Sequence, residues 1–376
     1  MKRTKLARRI IFILFAIIAL TTFTFCSSPQ DWFYKGPAFK GTAFEKKQNL
    51  QNTGYTKDSL KKFTKYLRKS YHTTSMLVLQ GGKVIYEYGN TSKINYLASC
   101  RKSILAMLYG KYVENGTIDL NETIGSIGID EDDGLLPIEK QATVDHIITA
   151  RSGVFHIPSN GGYDINNIKK RGSVQPGEYF VYNNWDFNVG GYILEKKSGH
   201  TIYEEIEEQL AIPLGFQDWH IKNQKKSKKN EKSRYQAFHI YISTRDMAKI
   251  GQLMLNKGRW DGKQLISKEW IEKITSTITP LDVVNQRYGL TEESPVQLSY
   301  GYMWWLFEQF YDNPDFEGAY TATGWGGQFI TVIPKLNMVI AHKTRVDLLT
   351  IFGWANHNVS DPEYYSMLNE FIAIKK

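Results

Sequence analysis

The sequence predicts an α+β fold: one antiparallel sheet built from both ends of the chain, flanked by the terminal helices, with a mostly helical region inserted between. Three observations point there. Ser75 to Gln80 and Lys83 to Tyr88 are strand-like runs joined by Gly81-Gly82, a strong hairpin signal. A second strand pair, Gln328 to Ile333 and Met338 to Lys343, turns at Pro334-Lys335-Leu336-Asn337 near the other end. From about residue 103 to about 270, apolar residues recur at helical spacing, in segments broken by Gly or Pro.

Taken in order, the chain is irregular to Tyr55, and Thr56 to Tyr71 then reads as a surface helix. Leu60, Phe63 and Leu67 form its apolar stripe and lysines cover the rest. After the first hairpin, Ser99 opens an apolar helix with Ile104, Leu105, Leu108, Tyr112 and Val113 near helical spacing, stopped by Asn115-Gly116. Further helices are expected over Asp145 to Ala150, Phe187 to Lys197, Tyr203 to Leu210, Thr244 to Leu255 and Lys268 to Ile274. Asp361-Pro362 is read as the cap of a closing helix that carries Tyr365, Leu368 and Phe371. A helical insertion in a sheet leaves a cleft at the junction, and Ser99 stands at that junction.

Residues 1–26 have a different character. Lys2, Arg3, Lys5, Arg8 and Arg9 precede an uncharged apolar run from Ile10 to Phe25, the layout of an export leader. Cys26-Ser27-Ser28 suggests a lipoprotein cleavage site, although Phe25 is bulky for processing; an uncleaved anchor is the alternative. Either attaches the chain to a membrane and places it outside the cytoplasm, in a bacterial cell envelope. Residues 27–55 are read as a linker and 56–376 as the catalytic domain.

The net charge of +9 is concentrated in two places. Five basic residues lie in the leader and seven in the polar loop Lys222 to Arg234; the chain outside these segments is close to neutral. A solvated loop, and not a basic face interleaved with aromatics, argues against nucleic acid as a partner. With two cysteines, no disulfide framework exists, and Cys100 reads as a packed neutral thiol. The eight histidines show no metal-ligand spacing; His146, His239 and His342 are read as structural, and no metal or cofactor is expected.

Three short motifs in order carry the chemistry: Ser99-Cys100-Arg101-Lys102, Tyr182-Asn183-Asn184, and Thr323-Gly324-Trp325-Gly326-Gly327-Gln328 before a strand. Each is common alone. Ser59-Leu60-Lys61-Lys62 also fits S-x-x-K, but on the solvated surface helix. Three residues apart on a helix, Ser99 and Lys102 share a face, so the lysine can take the hydroxyl proton if it is neutral. Burial and the positive end of the helix dipole both favour the neutral form. Tyr182 is a candidate second proton relay, and Asn184 a candidate partner of the lysine or of a substrate carbonyl. The backbone N–H of Ser99 and the strand leading into Gly324-Trp325-Gly326 are candidate oxyanion donors. Trp304, Trp305 and Trp325 are candidates for an apolar acyl pocket.

From about Asp58 to Ile374 the sequence resembles the class C-like branch of the β-lactamase and penicillin-recognising superfamily. Flanking phrases carry this as well: Thr149-Ala150-Arg151-Ser152-Gly153, Pro176-Gly177-Glu178-Tyr179-Phe180-Val181, Pro213-Leu214-Gly215-Phe216 and Ser243 to Gly251. Tyr300-Gly301-Tyr302-Met303-Trp304-Trp305 and Gly324 to Gln328 resemble, more narrowly, 6-aminohexanoate-dimer hydrolases and related esterases. The resemblance implies an acyl-enzyme on Ser99 with Lys102 as base and Tyr182 as proton shuttle.

The third motif departs from the family pattern. Aligned through Thr323-Gly324 it has Ala322 where K-T-G has its lysine, while the alternative alignment reads Trp325-Gly326-Gly327 as in some esterases. Either way the cation is missing from its usual place. Losing such a charge-assisted contact costs on the order of 1.5 to 3 kcal/mol, about ten- to a hundredfold in transition-state binding. The expected substrate is therefore a small ester or amide, cell-wall derived fragments included. A peptidoglycan D,D-peptidase, penicillin-binding protein or weak β-lactamase is the alternative; it needs a carboxylate-binding cation from elsewhere, for which Lys343 is a candidate. A catalytically silent binding or sensor domain is the alternative of another class.

Overall fold

A computed structural model of the chain describes residues 41–162, 164, 166–227, 232–346 and 357–375. The leader, Cys26 and the centre of the basic loop lie outside the described residues.

The main sheet has seven strands: β1 (Thr73–Gln80), β2 (Lys83–Gly89), β3 (Val296–Tyr300), β4 (Trp305–Phe310), β5 (Tyr320–Gly324), β6 (Gln328–Ile333) and β7 (Met338–Thr344). Their spatial order is β2-β1-β7-β6-β5-β4-β3, with every neighbour antiparallel. The N-terminal hairpin thus pairs with the C-terminal one through β1 and β7, in the register Met76↔His342 and Val78↔Ile340. Gly81 and Gly82 hold φ of 58° and 73°, the left-handed pair that a two-residue hairpin turn requires.

Alternate side chains of the strands feed two cores. Met76, Val78, Phe329 and Ile340 face the terminal helices α1 (Lys57–Ser70) and α8 (Asp361–Ala373), meeting Phe63, Leu67 and Phe371. Leu77, Leu79, Ile330 and Val339 face the helical region, with α2 (Cys100–Glu114) and α5 (Thr244–Leu255) among its elements. Buried on both faces, the central strands read as continuous apolar runs. Each such Leu, Val or Ile contributes roughly 1.5–3 kcal/mol.

Other helices of this region are α3 (Val144–Ile148), α4 (Asn184–Ser198), α6 (Lys268–Ile274) and α7 (Leu281–Tyr288). The helix expected over Tyr203 to Leu210 is present as one unbroken helical stretch made of Ile202–Ile206, a π-type turn over Glu207–Ala211, and Ile212–Leu214. The closing helix is capped by Ser360, not by Asp361-Pro362: the Ser360 hydroxyl accepts the Glu363 N–H while Pro362 takes an early position that needs no donor. The stretch read as a linker contributes to the fold where it is described. Lys47 N and Val84 N pair with Val84 O and Glu45 O at 2.9 Å each, and the Tyr55 ring stacks on Phe371 at 5.0 Å.

Candidate active site

The chain enters the site along Leu97, whose N–H is held by Ile240 O at 2.9 Å. Ala98 then takes φ of +52°, a left-handed conformation that costs a non-glycine residue on the order of 1–3 kcal/mol. The bend turns the backbone sharply into α2, with Ser99 as the residue before its first turn. Twelve of the fifteen residues of α2 are buried, so this helix runs through the protein and not along its surface. Ser103 anchors the first turn with a 2.5 Å hydrogen bond to Met303 O.

Lys102 is 1% exposed. Its Nζ lies 2.9 Å from Ser99 Oγ and 2.8 Å from Tyr182 OH, and 4.1 Å above the Tyr182 ring. Burial first, and the Arg101 guanidinium second, hold the ammonium well below the usual lysine range. Arg101 is buried too, lies 4.6 Å from the Phe238 ring centre, and leaves Nε and Nη1 without a hydrogen-bond partner. The structure therefore brings Ser99, Lys102 and Tyr182 into one hydrogen-bonded cluster. Loss of solvation raises the Tyr182 phenol, and its hydrogen bond with Ser99 opposes this.

Tyr182 stands just before α4. Asn183, not Asn184, caps that helix, accepting the Trp185 N–H at 3.1 Å and donating to His156 O at 2.9 Å. Asn184 departs from the expected contact with the lysine: its amide donates to Gly161 O, tying the 154–162 loop to the start of α4. Behind Tyr182, Ser152 donates to the buried Asp186 at 2.7 Å, and loss of solvation holds that carboxyl well above the ordinary carboxylate range. The phrase around Ser152 marks this contact in the sequence, but no motif marks Asp186 or the burial of Arg101.

The third motif divides in two. Gly324 ends β5 against the backbone before the nucleophile, where a Cβ would stand 2.7 Å from Leu97 O and 3.2 Å from the Ala98 Cβ. Trp325 follows with half its surface exposed. Gly326 faces elsewhere: its carbonyl accepts from Thr344 Oγ1 and from Val359 N, and a Cβ there would approach Asn358 and Val346. Cys100 is fully buried, its thiol directed at Gln328 O at 3.0 Å, and burial raises its pKa.

The tryptophans separate as well. Trp304 is fully buried, packed edge-on against Tyr320 at 5.4 Å, and belongs to the core and not to an acyl pocket. Trp305 is partly exposed and lies 5.8 Å from the Tyr182 ring. Ala322 is buried on β5, and Lys343 is engaged with Asn95 O at 2.8 Å and Ile242 O at 2.5 Å. Burial lowers that lysine to about 7. It is a structural cation and not one aimed at a substrate carboxylate. Among the histidines, His342 and His239 are likewise taken up in structure, by Gly327 O and Thr73 and by Tyr96 and Ser227 respectively.

The sequence profile of the family described as Beta-lactamase matches residues 60–345. Among solved structures, a Bacillus anthracis protein described as a 6-aminohexanoate-dimer hydrolase superposes with a TM-score of 0.62 at 20% identity, covering 90% of each chain. A penicillin-binding protein homologue from Pyrococcus abyssi gives 0.59 at 20% identity over 84% of this chain and 78% of its own. EstCE1, described as a hydrolase with promiscuous acyltransferase activity, gives 0.58 at 13% identity over 85% of this chain and 98% of its own. At these identities the likeness is one of fold.

Proposed function

Because the chain belongs to the Beta-lactamase family and is a serine hydrolase, we propose that it cleaves a carboxylic ester or a small amide through an acyl-enzyme on Ser99. The single observation that carries this is the position of Lys102 Nζ, within hydrogen-bond reach of both Ser99 Oγ and Tyr182 OH, where burial pushes the ammonium toward its neutral form. Neutral Lys102 takes the Ser99 proton as Oγ bonds to the substrate carbonyl carbon. The N–H groups of Ser99 and Trp325 hold the oxyanion. Collapse breaks the bond to the departing oxygen or nitrogen, which receives the proton from Lys102 through Tyr182. Water then gives its proton to the same pair, attacks the acyl carbon, and releases the acid and Ser99.

The substrate in this reading is a small ester or amide without a required carboxylate, since Ala322 replaces the family cation and Lys343 is bound to backbone carbonyls. Cell-wall fragments of that kind fit a protein exported and held at the membrane by residues 1–26, which is the location we propose. Neither nucleic acid nor a cofactor enters the scheme.

The test is intact-protein mass after exposure to a fluorophosphonate and, separately, to a penicillin, for the domain from Ser27 and its Ser99→Ala variant. A fluorophosphonate adduct that the variant loses, with no penicillin adduct, is the expected result. A stable penicillin adduct at Ser99 moves the assignment to a D,D-peptidase, and no adduct with either reagent assigns a silent binding domain.

A further inference from the structure

We propose that Tyr288 and Trp305 form a wall on the departing side of the scissile bond and select substrates whose leaving alcohol or amine carries a flat, uncharged ring. This rests on the acyl-enzyme reading above and deepens it.

Tyr182 returns the proton to the departing atom, so whatever lies beside its ring lies beside the leaving group. Three rings lie there: Phe187 at 4.8 Å and Tyr300 at 6.1 Å, both buried, and Trp305 at 5.8 Å with its plane inclined by 30°, which alone of the three is partly exposed. Trp305 is braced from behind by Tyr300 at 4.7 Å, and Tyr288 closes on it edge-on at 6.0 Å. Tyr288 still exposes 42% of its surface. Two of these rings are therefore open toward solvent while fixed in place.

The fixing is specific. Tyr288 is the last residue of α7, and Gly289, with φ of +64°, ends the helix there. Asn285 ties α7 to β3 through Gln297 Oε1 at 3.2 Å. Arg287 reaches back to Phe180 O at 3.0 Å and lies 3.7 Å over the Tyr179 ring, binding α7 to the segment that carries Tyr182. The cation beside Tyr288 is thereby turned away from the wall, which presents ring faces and edges. Such a surface favours an aromatic group beyond what its buried area alone supplies, and places no cation against a carboxylate.

The test compares benzyl acetate with ethyl acetate. Both give the same acetyl-enzyme, so the ratio of their kcat/KM values reports acylation and the fit of the departing alcohol alone. Tyr288→Ala is expected to lower the benzyl-to-ethyl ratio about tenfold, whereas Tyr288→Phe, which keeps the ring, holds it within about threefold. Trp305→Leu, which keeps bulk without the ring, repeats the loss if Tyr288→Ala does not fold. A ratio unchanged in Tyr288→Ala, or lowered equally in Tyr288→Phe, overturns the wall. A wild-type protein that hydrolyses neither ester and takes no fluorophosphonate overturns the acyl-enzyme reading, and the wall with it.

Discussion

Arg101 and Lys102 are consecutive, both are buried at the start of α2, and among the described residues neither forms an ion pair with a carboxylate. A guanidinium does not give up its proton, so the cost of two adjacent buried cations falls on the lysine. Arg101 works through the charge of its neighbour and touches no reacting atom.

Arg101→Met is therefore expected to raise the pKa of Lys102, because one of the two causes that lower it is removed while burial remains. The acidic limb of the pH–rate profile moves to higher pH. Activity at neutral pH falls by about tenfold, the equivalent of ~1.4 kcal/mol, and is recovered under alkaline conditions. Thermal unfolding should show a protein no less stable, since two unpaired buried N–H groups have gone. A rate lowered equally at every pH contradicts the electrostatic role.

Gly324→Ala places a Cβ 2.7 Å from the Leu97 carbonyl oxygen, a backbone atom that cannot swing aside. Overpacking of this kind costs about 1–3 kcal/mol. It also displaces the Trp325 N–H relative to Ser99, for which about a hundredfold in kcat is expected. Urea unfolding together with acetyl-ester kinetics checks both; an unchanged kcat removes this strand end from the oxyanion site.

His342 predicts an acid weakness. Its Nδ1–H donates to Gly327 O at 2.8 Å, so Nε2 accepts from the Thr73 hydroxyl at 2.8 Å, and the ring is neutral. Burial lowers its pKa from 6.5 to about 4. Between those values the unfolded chain binds the extra proton, so this contribution is complete above pH 6.5 and is lost as pH falls through about 4. The gap is worth on the order of 3 kcal/mol. Comparing urea unfolding at pH 7 and pH 4.5 for wild type and His342→Gln isolates it: the variant should lose less stability on acidification.

Ser59, in the second S-x-x-K, has a different task. Thr56 and Ser59 exchange reciprocal hydrogen bonds at 3.1 Å as a capping box for α1. Ser59→Ala should lower stability by about 0.5–1 kcal/mol and leave ester turnover as it was. Denaturation and kinetics on the same sample decide this.

What was legible in the sequence is short-range. The Gly81-Gly82 turn, the Thr56 helix and the shared face of Ser99 and Lys102 follow from local geometry, which a few residues set. β3 and β4 were missed because Val296 to Phe310 carries aromatics at positions where neither period dominates, and their place in the sheet depends on β5. The buried charge of Arg101 was equally hidden, since nothing local says that α2 is enclosed on all sides. Asn184 and Gly326 fit their motifs by spacing, yet tertiary partners claim them: Gly161 holds the one, Thr344 and Val359 the other. Trp304 and Trp305 are adjacent, and the start of a strand sends adjacent side chains to opposite sides, so only one reaches the cleft.

The pairing of β1 with β7 also sets a timetable for synthesis. Thr73 and His342 touch across 269 positions of chain. At ordinary translation speeds the ribosome needs on the order of tens of seconds to span them. Until then β1 has only β2 beside it, and a lone hairpin is marginal in water. The sheet thus stays incomplete for most of elongation. A message truncated before residue 338 yields a hairpin without its neighbour, and hence a target for proteases instead of a partly working enzyme.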